Sequence, residues 1–175
     1  QAQRMARLID DLLSLSRVEL NQHRLPVDPV DLDLLCRRII EALNPLAHER
    51  GVVMHYDKRI ECCLVPGAED ELSRVLENLI ENAIKYGQSG SKVNITLSES
   101  PDPKCSIMLT VRDYGPGIAA EHLPRLTERF YRTDEAESRN KGGTGLGLAL
   151  VKHILNRHRG RLNIESQLGQ GATFT

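Results

Sequence analysis

The sequence lacks long apolar runs and an excess of either charge, and each absence excludes a class of protein. No stretch approaches the roughly 20 apolar residues that a helix needs to cross a bilayer, and no signal peptide opens the chain. Lysine and arginine number 23 against 24 aspartates and glutamates, for a formal net charge of -1. No global field favours nucleic acid or an anionic membrane, so we predict no nucleic-acid partner.

Cysteine use and chain length set further bounds. The four cysteines include no C-x-x-C pair, and the adjacent Cys62 and Cys63 suit neither a disulfide framework nor a tetrahedral zinc site. We interpret all four as reduced thiols. A length of 175 residues with 40% hydrophobic residues allows one full domain and a small appendage.

The apolar pattern divides the chain into a short N-terminal region and a longer domain. From Gln1 to about Leu20, apolar residues recur at spacings of four and three, which predicts a helix that pairs with another helix. Pro26 and Pro29 interrupt helix formation, because proline removes a backbone donor and restricts the residue before it. The predicted divisions are a helix at residues 1–24, a linker at 25–30 and a domain at 31–175.

Within the domain, the period of the apolar pattern changes along the chain. Asp31 can cap a first helix that ends before Gly51, with a kink expected at Pro45. Further helices are predicted from Glu69 to Tyr86 and from about Leu146 to His158. The predicted strands cover residues 52–56, 62–65, 93–97, 107–111 and 161–166.

Two asparagines and a lysine lie on one edge of the helix predicted from Glu69 to Tyr86. At about 100° per residue, Asn78, Asn82 and Lys85 fall within a narrow arc beside the apolar stripe. Asparagine is a poor residue for a helix interior, so two of them suggest amide oxygens that bind a hard cation. The lysine would then meet phosphate. An ordinary solvated helix edge is the alternative that these residues leave open.

A segment with one acidic residue and two glycines, residues 113–117, directly follows a predicted strand. The alternation of that strand places Asp113 on the apolar face, where a carboxylate must find hydrogen-bond donors. The exocyclic amine of adenine is such a donor, whereas guanine would present a carbonyl oxygen. Selectivity for adenine follows as a hypothesis, with a simple turn at the end of the strand as the alternative.

A glycine-rich loop, residues 142–148, runs directly into the last predicted helix. The free amides and the positive dipole end of a helix N-terminus bind anions, so the loop suggests phosphate binding. Its alternating glycines do not match the dinucleotide fingerprint G-x-G-x-x-G, and the Gly-Lys-Ser/Thr of a P-loop is absent. A flexible hinge without a ligand is the alternative.

These three segments in this order, with residues 128–132 between the second and the third, resemble the catalytic domain of bacterial sensor histidine kinases. Residues 78–86 resemble the asparagine box of that family, and residues 113–117 its first glycine box. Phe130 matches its phenylalanine box and residues 143–147 its second glycine box. The resemblance covers essentially the whole chain and is greatest to the phosphate-responsive branch. The wider group includes the gyrase, heat-shock-90 and mismatch-repair ATPases.

The resemblance implies a Bergerat-type α/β sandwich, with a mixed, mainly antiparallel sheet and three helices packed on one face. It implies ATP and Mg²⁺ as cofactors. Asn82 would ligate Mg²⁺ with help from Asn78, and Lys85 would contact phosphate, which makes these three the implied catalytic residues. The implied nucleotide-binding residues are Asn78, Asn82, Lys85, Tyr86, Asp113, Gly115, Gly117, Ile118, Phe130, Lys141, Gly143, Thr144, Gly145, Leu146 and Gly147.

The same resemblance assigns the remaining regions. Residues 118–142 would form a mobile ATP lid anchored by Phe130, and residues 1–24 would be the second helix of a dimerising hairpin. The family transfers the γ-phosphoryl group of ATP to a histidine on the first hairpin helix, and then to an aspartate of a response-regulator receiver domain. None of the six histidines here lies in a sequence like the usual His-Glu-Leu-Arg-Thr-Pro. We therefore expect a fragment that binds ATP without phosphorylating itself.

The family also implies partners and a location. The intact protein would be a homodimer through its helical hairpin, and this chain would be a cytoplasmic domain of a kinase anchored in the bacterial inner membrane.

Two alternatives share this fold. In ATPases of the gyrase and heat-shock-90 type, a glutamate at the position of Asn78 activates water, so asparagine there favours transfer to a protein over hydrolysis. The second alternative is a non-catalytic dimerisation module, against which Asn82, Asp113 and the glycines argue. A nicotinamide-binding domain is a more distant possibility.

Overall fold

The computed structural model describes residues 2–20, 25–88, 90–102, 107–133 and 143–175, without the side chains of residues 2–4, 7 and 17–19. Within these ranges the helices are α1 (Ala2–Leu20), α2 (Leu32–Glu49), α3 (Glu69–Tyr86) and α4 (Gly147–Arg157). The strands are β1 (Asp28–Asp31), β2 (Val53–Lys58), β3 (Leu64–Gly67), β4 (Lys92–Glu99), β5 (Ile107–Arg112), β6 (Ile164–Ser166) and β7 (Ala172–Phe174). A 3-10 turn covers Leu123–Arg125.

A five-stranded mixed sheet forms one layer of the domain, in the order β2-β4-β5-β7-β6. Strands β2 and β4 run parallel, and the other neighbouring pairs are antiparallel. Alternation along β4 puts the fully buried Val93, Ile95 and Leu97 on one face. Helices α2, α3 and α4 contribute to the same core, so the domain is an α/β sandwich with these helices on one face. The predicted fold class is confirmed.

Helix α3 has the bounds that the sequence predicts, because its ends and its buried face are encoded locally. Three acidic residues fill its first turn, where negative charge offsets the positive end of the helix dipole. At its far end, the N–H of Gly87 donates to the carbonyl of Ala83. Its start has one contact that the sequence does not predict, since the N–H of Ala68 donates to Nε2 of His158 at 3.0 Å. That contact joins α3 to the end of α4.

The predicted linker at residues 25–30 is partly a strand. Strand β1 pairs antiparallel with β3, and Val30 is buried in the domain core. Pro29 is compatible with this pairing because β1 and β3 form a two-stranded sheet, and proline is tolerated in edge strands. We therefore propose that the domain begins at Asp28.

Helix α2 starts at its predicted cap and ends before Gly51, as predicted. The Asp31 carboxylate accepts hydrogen bonds from the N–H groups of Asp33 at 2.9 Å and Leu34 at 3.2 Å, as expected of an N-cap. The helix continues past Pro45 to Glu49.

Most other elements differ from the prediction by a few residues at their ends, where boundaries are least certain from sequence. Helix α4 covers residues 147–157 rather than 146–158, and β6 begins at Ile164, three residues later than predicted. Among the described residues, no helix combines the length and apolar character that a bilayer crossing requires.

Candidate functional site

A cavity of about 260 Å³ brings the three predicted segments together. It opens between α3, the segment that follows β5 and the loop that precedes α4. The predicted site residues that line it are Asn78, Asn82, Lys85, Tyr86, Asp113, Gly117, Ile118, Gly143, Thr144, Gly145 and Gly147.

Two parts of this cavity differ in character. We call them the Asp113 corner (residues 113–118 with Ala172) and the glycine-loop corner (Asn78, Lys85 and residues 143–147).

The Asp113 corner is built around a buried carboxylate. Asp113 is 4% exposed, and its Oδ1 accepts hydrogen bonds from the N–H of Gly115 at 2.9 Å and of Ala172 at 3.3 Å. Burial raises the pKa of the Asp113 carboxyl above its ordinary value, although these hydrogen bonds act to lower it. The backbone of Ile118 is fixed nearby, since its N–H donates to Oγ of Ser166 at 2.8 Å. The corner therefore presents an oriented acceptor to a ligand that carries an N–H donor.

Side chains of α3 form one wall of the glycine-loop corner. Nδ2 of Asn78 donates to the carbonyl of Arg74 at 2.8 Å, and Oδ1 of Asn78 lies against Gly147. A Cβ added at Gly147 would meet that oxygen at 2.3 Å, so a larger residue at the start of α4 would displace the Asn78 amide from its present position. Nζ of Lys85 forms an ion pair with Oε1 of Glu81 at 2.8 Å.

Arg132 adds a second cation to the glycine-loop corner. Its Nη2 is buried and has no hydrogen-bond partner within the part of the chain that the structure describes. That nitrogen lies 3.8 Å from the position that a Cβ at Gly143 would take. Arginine presents a fork of donors that matches phosphate oxygens, so Arg132 and Lys85 suit an anionic ligand.

Two further predicted residues, Gly115 and Leu146, do not line the cavity. Gly115 packs behind it, against the backbone carbonyl of Tyr86. Leu146 is 1% exposed, and its N–H donates to Oγ1 of Thr144 at 3.3 Å. Lys141 lies outside the described residues.

Phe130, predicted to anchor the lid, contacts the glycine loop through its backbone rather than its ring. The side chain of Phe130 is 59% exposed. Its backbone makes the connection instead, since the N–H of Phe130 donates to the carbonyl of Gly145 at 2.8 Å. With a φ of 63°, Phe130 adopts a left-handed conformation, and its Cα packs against Gly145.

Sequence reasoning missed ten residues of the cavity lining, which are Asp11, Glu81, Pro116, Leu126, Tyr131, Arg132, Thr133, Leu148, Ala172 and Phe174. Some carried a usable signal. Glu81 lies four residues before Lys85 on the same helical edge, and Arg132 belongs to the segment that resembles the family. Asp11 carried none, because it lies 133 residues before Thr144, with which it forms a hydrogen bond.

The oxygen atoms that the cavity offers as metal ligands suit a Mg²⁺ ion that is also bound by a phosphate ligand. In the described ranges, no three His, Cys, Asp or Glu side chains gather where they could hold a metal ion. A cation at this site would depend on the amide oxygens of Asn78 and Asn82 and on oxygens of the ligand itself. Mg²⁺ requires oxygen ligands and is commonly held through substrate phosphates.

Comparison with known proteins identifies the fold and the family. The family described as histidine kinase-, DNA gyrase B-, and HSP90-like ATPase matches residues 67–175. The phosphate regulon sensor protein PhoR of Pseudomonas aeruginosa is 41% identical over the whole of this chain, which spans 39% of the length of PhoR. Its name agrees with the phosphate-responsive branch that the sequence suggests.

Two solved structures share the architecture. Full-length ShkA in complex with AMPPNP superposes with a TM-score of 0.81 and 31% identity over 97% of this chain and 34% of ShkA. The histidine kinase AdeS of Acinetobacter baumannii has a TM-score of 0.77 and 27% identity over 99% of this chain and 78% of the AdeS chain. Since the family match covers more than half of the residues, this chain belongs to the histidine kinase-, DNA gyrase B- and HSP90-like ATPases.

Proposed function

We propose that this chain is the ATP-binding catalytic core of a two-component sensor histidine kinase. The core would transfer the γ-phosphoryl group of ATP to a histidine that is not among the six of this chain. In the intact system, the phosphoryl group would pass on to an aspartate of a response-regulator receiver domain. The observation that carries this proposal is one cavity with a buried carboxylate in one corner and, in the other, a glycine loop beside the cations Lys85 and Arg132.

The Asp113 corner would recognise adenine. The Asp113 carboxylate would accept a hydrogen bond from the exocyclic amine, while Gly117 and Ile118 would contact the ring. Guanine would bring a carbonyl oxygen to the same buried carboxylate, so two acceptors would face each other with no hydrogen bond between them, which costs binding free energy. Tyr86, on the wall of the cavity, would contact the ribose and the phosphates.

The glycine-loop corner would bind the triphosphate. Lys85 and Arg132 would neutralise phosphate charge, and the amides of residues 143–147 would donate to phosphate oxygens. Asn82, assisted by Asn78, would hold Mg²⁺, which when bound supplies charge neutralisation on the phosphates. Positioning and electrostatic stabilisation provide most of the catalysis in phosphoryl transfer.

The side chains of the cavity favour transfer to a protein over hydrolysis, because neither Asn78 nor Glu81 is suited to activate water. A nitrogen of the acceptor histidine would attack the γ-phosphorus as the bond to the bridging oxygen breaks and ADP leaves. Hydrolysis would instead need a base to activate water, and the amide of Asn78 cannot accept a proton in that role. Glu81 also lines the cavity, but its carboxylate is engaged by the Lys85 ammonium at 2.8 Å.

The proposed partners and setting follow from the same assignment. The intact kinase would be a homodimer through a hairpin that includes α1, whose apolar side chains remain exposed at Met5, Ile9, Leu12 and Leu13. It would have a response regulator as its protein partner and no nucleic-acid partner. The domain would lie in the cytoplasm of a bacterium, attached to an inner-membrane anchor outside this chain.

Calorimetric titration tests the nucleotide site. We expect saturable binding of AMPPNP that Mg²⁺ strengthens, and about fivefold or more weaker binding of the guanine analogue GMPPNP, because one lost buried hydrogen bond costs about 1–3 kcal/mol. Asp113→Asn and Asn82→Ala should each weaken AMPPNP binding by about fivefold or more. The matched control is Asp28→Asn, which removes an exposed carboxylate on β1. Equal affinity for the two analogues, or no saturable binding to the folded protein, would contradict the proposal.

A labelling experiment tests whether the histidine that accepts the phosphoryl group lies outside this chain. The chain incubated with ATP carrying a radioactive γ-phosphate should not become labelled. Stoichiometric label on any of its own histidines would show that the acceptor lies within this chain and would overturn the proposed division of labour.

A further inference from the structure

Helix α1 reaches the nucleotide cavity through one carboxylate. Asp11 lines the cavity, and its Oδ2 accepts a hydrogen bond from Oγ1 of Thr144 at 2.7 Å. The same Thr144 oxygen accepts a hydrogen bond from the N–H of Leu146 at 3.3 Å, so hydrogen bonds link Asp11 to the start of α4. Negative charge is stabilised near a helix N-terminus. In this structure, Asp11 supplies that negative charge.

The docking of α1 depends on a short segment. Leu15 is 3% exposed and belongs to the domain core, and Ser14 is also buried. In contrast, the other large apolar side chains described on α1 include several that are about half exposed or more, namely Met5, Ile9, Leu12, Leu13 and Leu20. Helix α1 packs against α4, the helix whose first residue lines the cavity. Among the α1 side chains that the structure describes, those from Asp11 to Leu15 therefore include the ones that join α1 to the domain at the glycine-loop corner.

The Asp11 carboxylate and a triphosphate would compete for the same groups. Lys85, Arg132 and the 143–147 loop line the cavity together with Asp11, and the proposed function assigns these cationic and amide groups to phosphate. A carboxylate there repels phosphate oxygens and already occupies the hydroxyl of Thr144. Like charges brought together away from bulk water interact more strongly than charges on an open surface.

We propose that Asp11 sets nucleotide affinity by making the docking of α1 and the binding of a nucleoside triphosphate antagonistic. This inference rests on the proposed function, since it concerns the same cavity. Coupling of this kind is reciprocal, so a bound triphosphate weakens the docking of α1 by the same factor by which docked α1 weakens the triphosphate.

Titration of the full chain with AMPPNP and with adenosine tests this coupling. Asp11→Asn should bind AMPPNP about five- to tenfold more tightly than the wild type, as expected for removal of one close like charge, and the gain should shrink as salt is raised. Adenosine carries no phosphate, so its affinity should change less than about twofold. The matched control is Asp10→Asn, which removes the same charge from an exposed neighbouring position outside the cavity lining and should bind both ligands as the wild type does.

Hydrogen exchange provides a second readout. Saturating AMPPNP should speed the exchange of backbone amides in residues 8–16 of the wild type, because α1 is then released from the domain. Unchanged AMPPNP affinity in Asp11→Asn, an equal gain in Asp10→Asn, or slower exchange in α1 would each overturn the inference. Weaker binding by Asp11→Asn would also overturn it and would make Asp11 a ligand for the cation.

The failure of this inference can be told apart from the failure of the proposed function. If the folded wild type and Asp10→Asn bind AMPPNP while Asp11→Asn shows no gain, only the role of Asp11 is wrong. If no variant binds AMPPNP, the proposed function fails, and the inference fails with it.

Discussion

The two corners of the cavity are built from different parts of the backbone and therefore differ in how they can change. The Asp113 corner is held by consecutive residues and one neighbouring strand, since the Asp113 carboxylate accepts the N–H groups of Gly115 and Ala172. The glycine-loop corner is assembled by side chains from separate helices, and α1 reaches it through Asp11. A corner fixed by its own backbone has little freedom to rearrange, whereas one formed between helices changes when a helix moves. We expect backbone-disturbing substitutions at the Asp113 corner to lower stability, and substitutions at the glycine-loop corner mainly to alter affinity.

The largest expected effect is a steric one at the Asp113 corner. Gly117 has a φ of +74°, and a Cβ there would meet the backbone carbonyl oxygen of Gln167 at 2.1 Å. Because neither the conformation nor the contact can relax cheaply, Gly117→Ala should lower the free energy of unfolding by about 4 kcal/mol. Urea denaturation measures this loss.

Gly169 provides the matched control for that substitution. Its φ of +77° is nearly the same, but a Cβ there would have no neighbour within 4 Å. Gly169→Ala should therefore cost only the conformational strain, about 1–2 kcal/mol. Equal losses in the two variants would mean that close packing does not distinguish the Asp113 corner.

The next largest effect concerns the helices that carry the glycine-loop corner. Glu71 on α3 and Arg157 on α4 form an ion pair at 2.5 Å, with side chains only 14% and 10% exposed. Glu71→Ala should lower the free energy of unfolding by about 3 kcal/mol, because it breaks an ion pair that is largely buried at both ends. Since the pair joins α3 to α4, nucleotide affinity should fall as well.

Glu69 gives the comparison within the same helical turn. It pairs with Arg38 at 2.7 Å, but these side chains are 58% and 55% exposed. Glu69→Ala should cost less than about 0.5 kcal/mol, as expected for an exposed pair in water. If urea denaturation shows that both substitutions lower the free energy of unfolding by the same amount, burial would not be the reason for the effect at Glu71.

A change far from both corners should reduce stability without altering the site. Asp31→Ala removes the two hydrogen bonds that cap α2 and should cost about 1 kcal/mol. The AMPPNP affinity measured by calorimetry should stay within about twofold of the wild type, because the folded state still predominates. A larger loss of affinity would show that α2 takes part in shaping the cavity.

The smallest expected effect is a pH dependence at the Asp113 corner. Burial raises the pKa of Asp113 in the folded state above its ordinary value of 3.8, so ionisation costs more in the folded than in the unfolded chain. The stability of the wild type relative to Asp113→Asn should therefore fall as pH rises from 3.8 to the raised folded value, and then level off. Urea denaturation at several pH values measures this difference. A relative stability that rises over that range would reverse the assigned direction of the pKa shift.

Features that depend on neighbouring residues could be predicted from sequence. The helical period brings Asn78, Asn82 and Lys85 to one edge of α3, and the structure has all three on the cavity wall. The strand period predicts burial of Asp113, which is 4% exposed. The N-cap at Asp31 was also predictable, because its partners lie two and three residues along the chain.

Features that depend on distant residues could not be predicted in this way. Val30 is buried because β1 finds β3, although Pro29 suggests a linker. Phe130 resembles an anchoring residue in sequence, yet its backbone rather than its ring makes the contact with Gly145. In each case, the outcome depends on which surfaces meet, and a local pattern contains no information about that.

The helices, most of the strands and the chemical groups available for a nucleotide could therefore be deduced from the residues alone, because they follow from backbone periodicity and residue type. The folded chain was needed to show that those groups share one cavity, that Arg132 joins Lys85 as a cation there, and that Asp11 of α1 lines the same cavity. The physical reason is that side-chain period and capping act over a few residues, whereas cavities form where segments far apart in the chain pack together.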